Sequence, residues 1–301
     1  MIRFGYQLSG ADEARSVEIA RRAEALGFDV LTVGDHVGRG CAPLVTLAAI
    51  SRETERIRLG TLVLNNDMRN PVQLAWDAAT LDRLSSGRLE LGVGAGHTPQ
   101  EYTATGVRLV DARLRKQRLC ETVEVLRPLL DGKSVTYHGD FVHIDDAQID
   151  AAFQEHVPIL VGGNGAMLLE HAAGCADIIG LQGLGETSGD GHNHAVRWDS
   201  ARLAEQLAQV RRGTEGRHTA VEVNVLVQVA HVTDAAEIFL RAVCERVEGL
   251  AFEDAIATPY LLVGTIDEIA AKVVRCQQEL GISYFVVRTL DEFAPVIAAL
   301  R

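Results

Sequence analysis

The feature that most constrains this chain is its rhythm, in which short apolar runs alternate with longer amphipathic ones almost from end to end. Residues 2–8 (IRFGYQL), 29–34 (DVLTVG), 57–64 (IRLGTLVL) and 88–94 (RLELGVG) read as strands, and 157–163, 176–181, 221–232 and 283–288 continue the series. Helical patterns fill the intervals at 11–27, 44–54, 71–87, 112–131, 165–174 and 199–212. Another begins at 234, one starts at the capping-box pattern Thr265-Ile266-Asp267-Glu268 and ends near Gly281, and the last covers 290–300. The strands are apolar along nearly their full length, as strands buried on both faces must be. Eight strands, each followed by a helix, favour an α/β fold of the closed (β/α)8 TIM-barrel type over an open doubly wound sheet. The 301 residues suit one such domain spanning 1–301. A hairpin excursion at 134–144 interrupts the rhythm, and two irregular stretches, 181–195 and 249–264, are expected to act as lids at the rim.

Composition removes several classes of function. The formal net charge is −12, so no basic field exists to hold nucleic acid or an anionic membrane. With 47% hydrophobic residues and a mean hydropathy of +0.08 the chain has ample core, yet no run approaches the length of a membrane span. The N-terminal MIRFGYQLSG lacks the apolar stretch of a signal peptide. Five cysteines, far apart and odd in number, suit reduced thiols rather than a disulfide framework or a zinc site. The expectation is a cytoplasmic protein without a structural metal.

In a barrel of this kind the site lies at the C-terminal ends of the strands. The residues there are Asp35 and His36, Thr61 to Asn66, Gly94 to His97, Gly162 to Met167, and Arg288. Among them the run LGVGAGH (91–97) invites comparison with the dinucleotide fingerprint G-x-G-x-x-G, but the position of the third glycine holds His97. The run is therefore a rim loop that needs another explanation. His192 and His194 form an H-x-H pair with no evident third ligand, which is weak ground for a metal. Arg108, Arg113, Arg115, Lys116 and Arg118 make a basic cluster that is either a solvated helix face or an attractor for an anionic ligand.

The string LGTLVLNNDMRNPVQLAWDAATLDRLSSGRLELGVGAGHTPQEYTATGV, with FDVLTVGDH before it and VPILVGGNGAMLLEHAAGCADIIGL after it, resembles the luciferase-like flavin and deazaflavin oxidoreductases. The run GTLVLNND most resembles the branch that uses coenzyme F420. The resemblance implies a barrel with a flat redox ring across the strand ends. Carried over by position, Asp35 and His36 sit beside the ring, Thr61-Leu62 forms a bulge with a cis peptide pressing on one of its faces, and Leu64 and Asn65 are further cofactor-binding residues. Ala95, Gly96 and Gln100 approach the cofactor, and Gly162, Gly163, Gly165 and Ala166 cradle its phosphate with backbone N–H groups. The bland readings compete: His36 as a structural histidine, Asp35 as a cap, and the 162–165 glycines as a tight turn.

The resemblance further implies hydride transfer between the deazaflavin and a small molecule or a peptide natural product, with reduction of C=C or C=N favoured and His36 or His97 as the catalytic proton partner. The alternatives are an FMN-dependent monooxygenase on the same barrel and a catalytically silent flavin-binding subunit. A related sugar-phosphate dehydrogenase carries a carboxylate where this chain has His97 and a tryptophan where it has Gly40, which argues against a sugar phosphate. A homodimer is implied on the same basis.

Overall fold

The computed structural model describes residues 1–187 and 194–301, and the expected lid residues 188–193, with His192, lie outside the described residues. Eight parallel strands form the barrel: β1 (Arg3–Leu8), β2 (Val30–Val33), β3 (Arg58–Thr61), β4 (Leu89–Gly94), β5 (Ile159–Gly162), β6 (Ile178–Leu181), β7 (Glu222–Leu226) and β8 (Ile282–Val287). Neighbours pair in sequence order, β8 returns to β1, and β3 reaches β4 through Leu59↔Leu89 and Gly60↔Glu90, so the sheet closes. The open-sheet alternative is thereby excluded.

One principal helix follows each strand: α1 (Ser16–Ala25), α2 (Pro43–Ser51), α3 (Pro71–Leu84), α4 (Ala112–Leu130), α5 (Ala166–Cys175), α6 (Ser200–Gly213), α7 (Ile266–Arg275) and α8 (Ala294–Ala299). Local chemistry sets their ends. Asn70 caps α3 by accepting from the Val72 and Gln73 N–H groups, with Pro71 at the first position. The expected capping box of Thr265 and Glu268 opens α7, and Gly281, at φ +72°, closes the turn that follows it. Leu31, Leu59, Leu91, Ile159, Ile179, Val225 and Phe285, all fully buried, lie in one continuous core. Val30, Leu62, Leu160, Ile178, Leu226, Tyr284 and Val286 form a second apolar cluster.

Four expectations need correction. Residues 221–232 are not one strand: Val229–Val232 leaves the barrel and pairs in parallel with Leu261–Gly264. The stretch 249–264 is accordingly no lid, because it holds the helix Phe252–Ala257 and a strand whose Leu261 and Leu262 are fully buried. The strand predicted over 57–64 is broken after Thr61 and resumes at Leu64–Asn65, which pairs with β4. The cis peptide lies in that break, at Leu62–Val63 rather than Thr61–Leu62. The hairpin appears as expected, as Val135–His138 against His143–Ala147.

Candidate active site

The break after β3 explains the three glycines of LGVGAGH. A Cβ at Gly92 would stand 1.9 Å from the Thr61 carbonyl oxygen, one at Gly94 would stand 2.5 Å from Val63 Cγ2, and one at Gly162 would stand 3.0 Å from Val63 Cγ1. Val63 is therefore seated in a notch that only glycines on β4 and β5 leave open. Thr61 locks the approach: its hydroxyl donates to the Gly92 carbonyl at 2.7 Å and accepts from the Gly92 N–H at 2.8 Å. Gly96, at φ +71°, is boxed in by Asn65 Oδ1 and the Tyr102 hydroxyl, each 2.3 Å from where a Cβ would lie. The glycine run shapes a rim and does not wrap a dinucleotide.

That rim opens onto a cleft of about 1480 Å³ at the C-terminal ends of the strands. His36, His97, Asp35, Leu62, Leu64, Asn65, Ala95, Gly96, Gln100, Gly162, Gly163 and Gly165 all line it. Thr61 and Ala166 do not. Thr61 is buried behind the wall by its bonds to Gly92, and Ala166 is the exposed first residue of α5. The volume exceeds the 300–1,000 Å³ of an ordinary small-ligand pocket and leaves room for a cofactor together with a substrate.

Each end of the cleft has its own chemistry. On the β2 side the His36 ring Nδ1 lies 2.7 Å from Glu101 Oε1; the carboxylate side chain is 8% exposed and the imidazole 51%. A proton on Nδ1 shared with that carboxylate leaves Nε2 as the basic nitrogen. The His97 ring stands edge-on to His36 with centroids 6.0 Å apart. Asp35, by contrast, turns its carboxylate to the Asn65 N–H and to Arg69, so it fixes the segment after the break rather than offering a free acid.

Across the rim, the loop Gly162-Gly163-Asn164-Gly165 leads into α5. Its N-cap is Gly165, at φ +94°, with no side-chain cap, so the first-turn N–H groups of α5 have no side-chain acceptor at the cap. Lys116 Nζ lies 3.3 Å from where a Gly165 Cβ would sit. Burial, then Arg115 and Arg202, lowers the Lys116 pKa from its usual value. Clustered cations beside open helix amides give this end of the cleft a positive field. Asn164 holds the loop in place by donating to the Leu184 carbonyl at 2.7 Å and accepting from Gln206 at 2.8 Å. The basic cluster of the sequence thus divides. Arg115 and Lys116 line the cleft, Arg118 pairs with Asp67, and Arg108 and Arg113 are exposed outside it.

Glu101 escaped the sequence reading. Val63 and Asn164 fell within the strand-end stretches and Lys116 within the basic cluster, none with a role of its own. Glu101 reaches His36 across 65 positions, and no local pattern announces such a pair. His194 begins a short strand, and no more is described of the His192–His194 pair. Among the described residues no group of three or more His, Cys, Asp or Glu side chains could hold a metal, and no helix is long and apolar enough to cross a membrane.

Comparison with known proteins adds the family. The luciferase-like monooxygenase family matches residues 3–248. An F420-dependent glucose-6-phosphate dehydrogenase of Amycolatopsis mediterranei is 32% identical over 187 residues, covering 59% of this chain and 56% of the relative. The chain thus matches little more than half the length of that relative. The enzyme of the same description from Microbacterium testaceum is 32% identical over 244 residues, covering 77% of this chain and 70% of the relative. Among solved structures, an F420-dependent secondary alcohol dehydrogenase in complex with an F420–acetone adduct superimposes with a TM-score of 0.76 at 21% identity, over 100% of this chain and 99% of the other.

Proposed function

The chain belongs to the luciferase-like monooxygenase family, and within it we propose that the protein is a coenzyme F420-dependent oxidoreductase. The observation that carries this is the pairing, in one cleft, of a flat apolar bulge at Leu62–Val63 with an anion site at Gly163–Gly165 and Lys116. The residues fit the cofactor: a planar ring needs a smooth, uncharged support, and a phosphate needs open N–H groups and cations. The curated relatives named above carry the same cofactor in their descriptions. When bound, the deazaflavin supplies the hydride chemistry.

The chain's residues do the rest. Leu62, Val63 and Leu64 back the ring, and Gly96, Ala95 and Gln100 border it from β4. The amides of Gly165 and of the first turn of α5, with Lys116 and Arg115, anchor the tail. The proton that balances hydride movement is carried at His36 Nε2, the imidazole being oriented by Glu101. His97, beside it, is the second proton group. The substrate is a small molecule with a reducible C=C or C=N bond, or the corresponding reduced compound.

The test is a titration of the purified protein with oxidised and reduced F420 and, in parallel, with FMN, read by absorbance and fluorescence quenching. Saturable binding of F420 in preference to FMN is the expected outcome. Preference for FMN, with oxygen consumption by the reduced complex, would instead make the protein a monooxygenase, and binding of neither would make it a silent subunit.

A further inference from the structure

Arg288, the first residue past β8, lines the cleft but takes no part in the scheme above. Its partners are two side-chain amides. Its Nε donates to Gln7 Oε1 at 2.9 Å, and Nη1 approaches Gln228 Oε1 at 3.5 Å. Both glutamine amides are committed elsewhere: Gln7 Nε2 donates to the Leu62 carbonyl at 2.9 Å, and Gln228 Nε2 to the Gln182 and Leu226 carbonyls at 3.0 and 3.1 Å. Those bonds fix which way each amide faces and so hold the guanidinium in one place. No carboxylate among the described residues lies within ion-pair distance of it. Burial alone acts on Arg288 and lowers its pKa, but with its tip open to the cleft it stays cationic at physiological pH.

We propose that Arg288 is the receptor for a carboxylate on the substrate, and that the enzyme acts on small carboxylic acids rather than on neutral alcohols or ketones. The inference rests on the F420 reading for the identity of the other occupant. Position separates the two. Arg288 follows the eighth strand and the anion loop follows the fifth, three strands round the rim, so Lys116 and Arg115 serve one anion and Arg288 another. Arg288 is also linked through Gln7 to Leu62, the residue that would back the ring, which places a substrate carboxylate beside the hydride position. A single planar guanidinium, oriented by glutamines at Nε and Nη1, suits a planar monoanion better than a phosphate dianion, which draws several cations.

The experiment compares 4-fluorobenzoate with 4-fluorobenzamide by fluorine NMR titration. It uses wild-type protein, Arg288→Gln and Arg288→Lys, each with and without F420, and records F420 affinity and thermal unfolding for every variant. The wild type is expected to bind the benzoate roughly 10- to 100-fold more tightly than the amide, the range of one charge-assisted pair. Arg288→Gln should abolish the preference, Arg288→Lys should keep part of it, and F420 affinity should not change. No benzoate binding, equal binding of both probes, or a preference that survives Arg288→Gln overturns the proposal. Loss of F420 affinity in Arg288→Gln also overturns it, by assigning Arg288 to the cofactor, and leaves the F420 reading intact. An Arg288-dependent benzoate preference in a protein that does not bind F420 has the opposite meaning: the carboxylate receptor stands and the F420 reading falls.

Discussion

The two ends of the barrel use the same residue types for opposite purposes. At the N-terminal ends of the strands, Arg3 and Arg58 both donate to Glu90 at 2.6 Å, Arg3 also donates to Glu222 at 3.1 Å, and the Arg3 guanidinium lies 4.4 Å from the centre of the Tyr284 ring. Arg3 and Arg58 each have a carboxylate, and Glu90, 4% exposed, is shared by both, while Arg88 beside them is held by the Ser51, Ile57 and Ser85 carbonyls and the Thr54 hydroxyl. At the C-terminal ends Arg288 faces only amide oxygens, and Lys116 faces open helix N–H groups and other cations. The lower charges are consumed within the fold. The upper ones are left for something that is not part of the chain, and the division is what a barrel with its site on one face should show.

This contrast can be broken by exchanging stability for function at either end. The largest effect is expected at the proton group: His36→Ala should lower kcat about 10²–10⁴-fold on a turning-over substrate while leaving the unfolding temperature nearly unchanged. Glu101→Gln should lower kcat in the same experiment by loosening the hold on the imidazole, and a kcat identical to wild type would separate Glu101 from the proton path. Glu90→Gln should do the reverse of His36→Ala. It leaves Arg58 without a carboxylate and Arg3 with Glu222 alone, and should cost about 1–3 kcal/mol in denaturant unfolding, because both arginines keep other partners and some solvent. F420 affinity should survive that change. Lys116→Ala should weaken F420 binding roughly tenfold or more, and less so at high salt, with stability within about 0.5 kcal/mol of wild type. The smallest difference sharpens the map of the rim: Arg115→Glu should weaken F420 binding, and Arg113→Glu, outside the cleft, should barely alter it.

Much of the frame was readable because its signals are local. Apolar strands of four to six residues and capped amphipathic helices each announce themselves within a dozen positions, and all eight barrel strands appear where the rhythm predicted them. The exceptions are places where tertiary contacts overrule local pattern. Nothing in VEVNVLVQVAHV says that the chain leaves the barrel after Leu226, because both halves are equally apolar. The break after Thr61 was expected from resemblance, but its register was off by one residue, since what sets it is the glycine notch for Val63 on two other strands. In the site, glycines and histidines at strand ends were legible from topology. Glu101, Gln7, Gln228 and Asn164 were not, because their roles come from partners 20 to 281 positions away.

The most direct test of this account is a crystal structure of the protein soaked with F420. The deazaflavin ring is expected against Leu62–Val63 and the phosphate on the amides of Gly165 and the first turn of α5 beside Lys116, with Arg288 still facing open cleft. A cofactor bound with its phosphate at Arg288, or held anywhere other than the C-terminal rim, would contradict it.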